Sequence, residues 1–400
     1  MLSSQIFHYT NTICTKSRST MFSSLKTKRM AARYTNYSIR RKRGVTMINR
    51  NVKRVFVSLL AAGMLFGCAP TSAESGTGNE TETVSNGSGD ESTQSGFSGE
   101  ERGPGNGGGH GAIGPGNRNM GGQAQTDSAL QAVIDESAST FEQFTYTDEE
   151  TGITLEYSLY IPEGYEEGTD TLYPMVMFIP DSTGAGLSSS QIVEEYYGAA
   201  VWAGDEDQEK HPSFVLVPAY TGTVTDDNWN ASEQLDATVN LIIYLTENYS
   251  IDQDRLYTTG QSMGCMSSLY LNSKYPDLFA ASLYVSGQWD ISVLDVLEDQ
   301  TFFYVTAGGD EKASGGQDEV MALFDQDQVP YSYQSWDAQE DADAQNDLVQ
   351  AMIDEGNQAN MIRFETGTVL NGEGGMEHMA SFNYAYKISA LRDWLFEQSR

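Results

Sequence analysis

Thr258–Cys265 reads TTGQSMGC, and within it Gly260-Gln261-Ser262-Met263-Gly264 fits the pattern G-x-S-x-G. In a chain with 39 glycines the pattern alone decides nothing. Its flanks decide it. Arg255–Thr259 (RLYTT) has β propensity and runs straight into the first glycine, and Met263–Ser273 is helical in character and follows at once. A serine on so sharp a strand-to-helix turn has its hydroxyl lifted clear of the backbone, with glycines on either side to relieve crowding. The helix N-terminus beside it favours developing negative charge. Ser262 is therefore a candidate nucleophile at the carboxyl end of a parallel strand, which is where open α/β sheets gather their active residues.

Working outward, the segments before and after this turn alternate in type. Ile153, Leu155, Tyr157, Leu159 and Ile161 alternate with polar residues, as in a half-buried antiparallel strand. Pro174–Ile179 (PMVMFI) and Phe214–Val217 (FVLV) are continuous apolar runs, which suits strands covered on both faces. Ser232–Tyr249 places Leu235, Val239, Ile242 and Leu245 at helical spacing behind a capping serine. Ala281–Val285, Thr301–Thr306 and Asn360–Phe364 are strand-like, while Gln317–Phe324 and a closing segment Tyr384–Gln398 are helical. Strands alternating with helices imply an α/β fold with a mainly parallel sheet and helices on both faces.

Serine is a weak nucleophile without a base. Beyond residue 128 the chain offers two histidines, His211 and His378. His211 lies ahead of an apolar strand, at the amino end of the sheet, and is expected to be a surface residue. His378 follows the last strand in a glycine-rich loop (NGEGGMEHMASF) ahead of the final helix, a position from which an imidazole reaches the top of the sheet as general base. The orienting carboxylate should follow an intermediate strand. Asp310 does so in TFFYVTAGGDEK, 48 residues after Ser262 and 68 before His378, with Glu311, Asp318 and Asp337 as competitors. The order Ser, Asp, His along the chain is the α/β-hydrolase order.

The residues that carry this reading also resemble a family. DQDRLYTTGQSMG (252–264) followed by YPDLFAASLYVSG (275–287) resembles the α/β-hydrolase serine esterases grouped around polyhydroxybutyrate depolymerases, feruloyl and acetylxylan esterases and secreted peptidases. YPMVMFIPDSTGAG (173–186) resembles their strand leading into the oxyanion loop, and the likeness runs from about Phe144 to Arg400. It implies Ser262 as nucleophile, His378 as base, Asp310 as orienting acid, and the backbone N–H of Met263 as one oxyanion donor with a second near Asp181 or Ser182. Where the family usually has His-Gly, this chain has Pro180-Asp181. A carboxylate beside a developing oxyanion is unfavourable, and loss of one donor costs about a hundredfold to a thousandfold in rate. The resemblance thus leaves three functions open: ester hydrolysis, peptide hydrolysis by the same acyl-enzyme chemistry, and ligand binding by a weak or inactive hydrolase. Tyr331–Glu355 is longer than the family's equivalent and is expected to cap the site. Trp229, Trp289 and Tyr220 fall in loops near the expected carboxyl edge, where they would stack on a sugar or an aromatic acyl group unless they are ordinary packing residues. Cys265 is expected to be a small buried residue.

The front of the chain has a different composition. Residues 47–68 (MINRNVKRVFVSLLAAGMLFGC) combine a basic start, a short apolar run and LFGC, the pattern of a secretion signal whose ending resembles the bacterial lipobox, with Cys68 as the acylated residue. Met47 is the expected start, and residues 1–68 a leader. Residues 69–128, rich in glycine, serine and acidic groups, are expected to form a flexible linker ahead of a hydrolase domain over 129–400. As a Gly-rich coil of 60 residues it would extend roughly 45 Å. The location implied is the outer face of a bacterial cell membrane, reached through the lipid anchor alone.

Charge narrows the partners. The chain holds 23 Lys and Arg against 56 Asp and Glu, but 13 of the basic residues and no acidic one precede Cys68. From Cys68 onward the balance is 10 against 56, a formal net of −46. Such a field disfavours nucleic acid and anionic lipid, which bind through clustered cations, and favours neutral or cationic substrates such as small esters or acylated polysaccharides. No H-E-x-x-H occurs in the sequence, so neither a metal nor another cofactor is expected.

Overall fold

The computed structural model describes residues 127–400. The expected start at Met47, the Cys68 lipobox and residues 69–126 of the linker lie outside the described residues. Asp127 accepts hydrogen bonds from the N–H groups of Ala129 and Leu130, and so caps the first helix, α1 (Ser128–Ala138). There follow β1 (Glu142–Thr147), β2 (Thr154–Tyr160), β3 (Tyr173–Ile179), a 3-10 turn at Ser182–Gly184, α2 (Ser189–Glu195), α3 (Tyr197–Ala200), α4 (Asp205–Lys210), β4 (Phe214–Ala219) and α5 (Gln234–Asn248). The second half continues with β5 (Ile251–Gln261), α6 (Met263–Lys274), β6 (Ala281–Val285), β7 (Phe302–Ala307), α7 (Glu311–Asp327), β8 (Tyr331–Trp336), α8 (Ala342–Asp354), β9 (Ala359–Phe364), α9 (Glu377–Lys387) and α10 (Ser389–Glu397).

Among the described residues, nine strands form one sheet in the order β1-β2-β4-β3-β5-β6-β7-β9-β8. The β1–β2 and β2–β4 pairs are antiparallel and the remaining pairs parallel. The alternation of the β2 residues matches this place near an edge, where one face is only partly covered. β3 and β4 are apolar throughout because both of their faces are buried. Val176 and Phe178 of β3 enter the core under α2, α3 and α9, while Met175, Met177 and Ile179 point into the opposite core under α5 and α6. The connection order reverses at β3: β4 lies on one side of it and β5 on the other. The carboxyl ends of β3 and β5 therefore flank the switch point, the usual place for a ligand in a sheet of this kind.

Three expectations need correction. Tyr331–Glu355 is not a cap. It forms β8 and α8, and β8 adds a parallel edge strand to β9 with Trp336 buried against Phe364. Its place at the sheet edge leaves Tyr333 and Ser335 exposed. The closing helix is broken at Ile388 into α9 and α10. Finally, α9 begins at Glu377, so His378 sits in the first turn of a helix rather than in the preceding loop.

Candidate active site

The turn from β5 into α6 is as tight as its glycines imply. Ser262 lies between the two elements at φ 51° and ψ −114°, a conformation that costs a non-glycine residue of order 1–3 kcal/mol and persists only where surrounding packing dictates it. The packing does so. A Cβ on Gly264 would stand 1.9 Å from the carbonyl oxygen of Ile179, and one on Gly260 only 2.5 Å from the backbone of Gly264. The end of β3, the turn and the start of α6 thus meet backbone to backbone. The Ser262 N–H donates to the Val285 carbonyl at 3.0 Å, which ties the turn to β6.

His378 Nε2 lies 2.8 Å from Ser262 Oγ, and His378 Nδ1 lies 2.5 Å from Asp310 Oδ2. An ionised carboxylate only accepts, so Nδ1 carries the proton and Nε2 is left as acceptor for the serine hydroxyl. Asp310 is 7% exposed. Its other oxygen accepts from the Ala313 N–H at 3.3 Å, so the carboxylate also caps α7 and is held on both sides. Edge-on contact with Phe382, 5.1 Å between ring centroids, supports the imidazole from within α9. Two of the competing carboxylates are engaged elsewhere. Asp318 pairs with Arg363 at 2.7 Å, and Asp337 accepts from the Gln339 N–H at 2.8 Å. His211, at the amino end of β4, bonds Asp393 at 2.9 Å and stacks on Phe396, remote from Ser262 along the strands.

Two helical starts supply candidate backbone donors. Met263 opens α6 and Ser182 opens the 3-10 turn after β3, and a helix leaves its first N–H groups unpaired internally. The Asp181 carboxylate is 2% exposed and turned into the protein. One oxygen accepts from the N–H and hydroxyl of Thr183 at 2.7 and 2.6 Å, and the other from Gln261 Nε2 at 2.9 Å. The carboxylate is thus held by three protein donors and keeps its charge.

The described residues have the α/β-hydrolase fold. A family model described as "Putative esterase" matches residues 196–378, a span that holds Ser262, Asp310 and His378. "Probable acetylxylan esterase A" of Aspergillus flavus (strain ATCC 200026 / FGSC A1120 / IAM 13836 / NRRL 3357 / JCM 12722 / SRRC 167) is 29% identical over 106 residues, 24% of this chain and 33% of that protein. "Acetylxylan esterase A" of Aspergillus oryzae (strain ATCC 42149 / RIB 40) is 28% identical over the same shares. The chain thus spans about a third of the length of these curated relatives. A solved structure titled "Crystal Structure of a Thermostable Esterase" is 26% identical with a TM-score of 0.50, over 66% of this chain and 64% of that one.

Around this candidate site the three aromatic candidates separate. Tyr220 does not line a surface: it is 2% exposed, packs in the core beneath α5, and bonds Thr238 Oγ1 at 3.1 Å. Trp289, at 4% exposed, is likewise inside, edge-on to both Tyr270 and Trp229. Trp229 is the exposed member of the pair, at 41%. Its loop stands over the start of α6, because Thr225 Oγ1 donates to the Met263 carbonyl at 3.1 Å. Cys265 is fully buried, and burial pushes its thiol far above the ordinary range, which leaves it inert. Gln261 was missed by sequence reasoning. As the variable second position of G-x-S-x-G it carries no motif signal, and only its bond to Asp181 reveals its use.

Proposed function

We propose that this protein is a serine hydrolase of carboxylic esters, held at the outer face of a bacterial membrane by an acyl chain on Cys68. The observation that carries the reading is the continuous pair of hydrogen bonds from Ser262 through His378 to Asp310. In the reaction, Ser262 Oγ attacks the ester carbonyl carbon while His378 Nε2 takes its proton. Asp310 keeps the imidazole in the right tautomer and stabilises the imidazolium. The N–H groups of Met263 and Ser182 receive the developing oxyanion. The imidazolium returns its proton to the alcohol oxygen as the C–O bond breaks, leaving an acyl-serine. Water then attacks the acyl carbon as His378 takes its proton, and the imidazolium returns that proton to Ser262 Oγ as the acyl–oxygen bond breaks and the acid leaves.

Esters are favoured over peptides because the matched family and the relatives are esterases. The acetylxylan esterase names, together with the net charge of −46 from Cys68 onward, favour neutral acetylated polysaccharide as substrate.

A fluorophosphonate probe tests the reading, with the adduct mapped by mass spectrometry and acetate release from acetylated xylan followed in parallel. Label on Ser262, absent in Ser262→Ala and strongly reduced in His378→Ala, is the expected result. An unlabelled Ser262 with no acetate release would favour a ligand-binding role. Turnover of peptides but not esters would favour the peptidase. Metabolic labelling with a fatty acid, lost in Cys68→Ala, checks the anchor.

A further inference from the structure

Glu377 stands immediately before His378 at the start of α9. Its carboxylate accepts two backbone N–H groups from two other loops, Gly309 on Oε2 and Gly367 on Oε1, each at 2.9 Å. Gly309 is the residue before Asp310, and Gly367 lies in the turn that follows β9. The strands β7 and β9 are parallel neighbours, so one carboxylate laces both of their carboxyl ends to the helix that carries the imidazole. Nothing larger than glycine fits here: a Cβ on Gly309 would stand 2.0 Å from Glu377 Oε1, and one on Gly308 2.7 Å from Thr366 Oγ1. The Gly308-Gly309 pair ahead of Asp310 is thus the counterpart of Glu377.

We propose that Glu377 is a positioning residue, a carboxylate clamp that sets the contact between His378 Nδ1 and Asp310 Oδ2. Its kinetic consequence rests on the ester-hydrolase reading above, though its geometry does not. Charge-assisted bonds to two converging N–H donors suit a carboxylate and no other side chain of this length. An amide has a single acceptor oxygen, and its NH2 group would face the second donor. The clamp is needed because α9 lacks a side-chain N-cap and is entered through a glycine-rich stretch, with Gly372, Gly374 and Gly375 unconfined by neighbouring atoms beyond one ordinary contact. A displacement of about 1 Å in such a group costs on the order of a hundredfold in rate.

The test uses the full chain and the variants Glu377→Gln, Glu377→Ala, Gly309→Ala and the double variant Glu377→Ala with Gly309→Ala. Turnover of p-nitrophenyl acetate is normalised to active sites titrated with the fluorophosphonate. The low-field proton resonance of the His378 Nδ1–H, assigned by its loss in His378→Ala, is recorded alongside. We expect kcat to fall about 10- to 100-fold in both Glu377 variants with KM little changed, and the resonance to move upfield or vanish. Gly309→Ala should damage the wild-type background and add nothing to Glu377→Ala, because the carboxylate it would strike is gone. Wild-type kcat and an unmoved resonance in Glu377→Ala, or fully additive losses in the double variant, would overturn the clamp. If wild-type protein fails to turn over any ester, the functional reading falls, while the resonance in Glu377→Gln still decides the clamp.

Discussion

Gln261 Nε2 donates to Asp181 Oδ2 at 2.9 Å, and both side chains are buried. The bond joins the loop after β3, which carries one proposed oxyanion donor, to the residue immediately before Ser262. The two halves of the candidate oxyanion site are therefore held in one register by a single carboxylate. Asp181→Ala would strand the Gln261 amide and the Thr183 N–H without partners, and each buried unpaired donor costs about 1–3 kcal/mol. Asp181→Asn should be mild, because the Gln261 amide can turn over and present its oxygen to the new NH2 group. The expected outcome is a lowered Tm and a reduced kcat in Asp181→Ala, with Asp181→Asn near wild type in both. Equal damage in the two variants would remove the brace from the account.

A second prediction concerns acid stability. Burial pushes the Asp148 carboxyl up, but hydrogen bonds from the Thr151 hydroxyl and N–H and from Asn240 outweigh it, so its pKa falls below the ordinary carboxylate value. A carboxylate whose folded pKa is depressed contributes stability above its unfolded value, about 4, and loses it as pH drops through the lower folded value. Wild type should therefore lose stability below about pH 4 more steeply than Asp148→Asn, which should be the less stable of the two at pH 7. Urea midpoints from pH 7 to pH 3 measure this. Parallel curves for the two proteins would show that Asp148 does not link folding to protonation.

Much of this architecture was readable in the sequence, and for identifiable reasons. PMVMFI and FVLV have no polar position, which only a strand buried on both faces tolerates, and both lie centrally in the sheet. The G-x-S-x-G turn needs glycines because backbones meet there, so chain packing itself writes the motif. The convergence of His378 and Asp310 on Ser262 could be anticipated because few histidines compete and because α/β topology gathers such groups at the ends of strands. What stayed hidden was of two kinds. Short elements, such as β8 with YSYQSW and the helices of four to seven residues between 189 and 210, are too brief to show a period. Residues whose use depends on a partner far along the chain, such as Gln261 with Asp181 or Glu377 with Gly309, leave no local trace, since a buried polar contact between distant segments has no spacing to read. Tyr220 failed for the related reason that a tyrosine just past a strand end packs inward or outward according to a helix elsewhere in the chain, here α5.

The aromatic pair at the rim offers a last prediction, because its two members differ in every physical respect. Trp289 is 4% exposed between Trp229 and Tyr270, so Trp289→Ala should cost about 3–5 kcal/mol of stability as a large-to-small core change. Trp229 is 41% exposed and sits at φ 63°, a left-handed backbone that a bulky residue adopts at a cost. The loop forces it there: Asp226 accepts from the N–H groups of Asn228 and Asn230, and Asp227 pairs with Lys312 two residues beyond Asp310 at 2.6 Å. Trp229→Gly relieves the backbone but gives up the edge-on contact with Trp289, so Tm should fall far less than in Trp289→Ala. If the ring forms one wall of the substrate cleft above α6, the same change should raise KM several-fold for aryl and oligosaccharide esters while leaving a small acetyl ester untouched, since stacking on an exposed aromatic is worth about 0.5–1.5 kcal/mol. Paired KM measurements on a large and a small ester, beside thermal unfolding of both variants, check it. An equal change for both esters would assign Trp229 to the support of the loop instead.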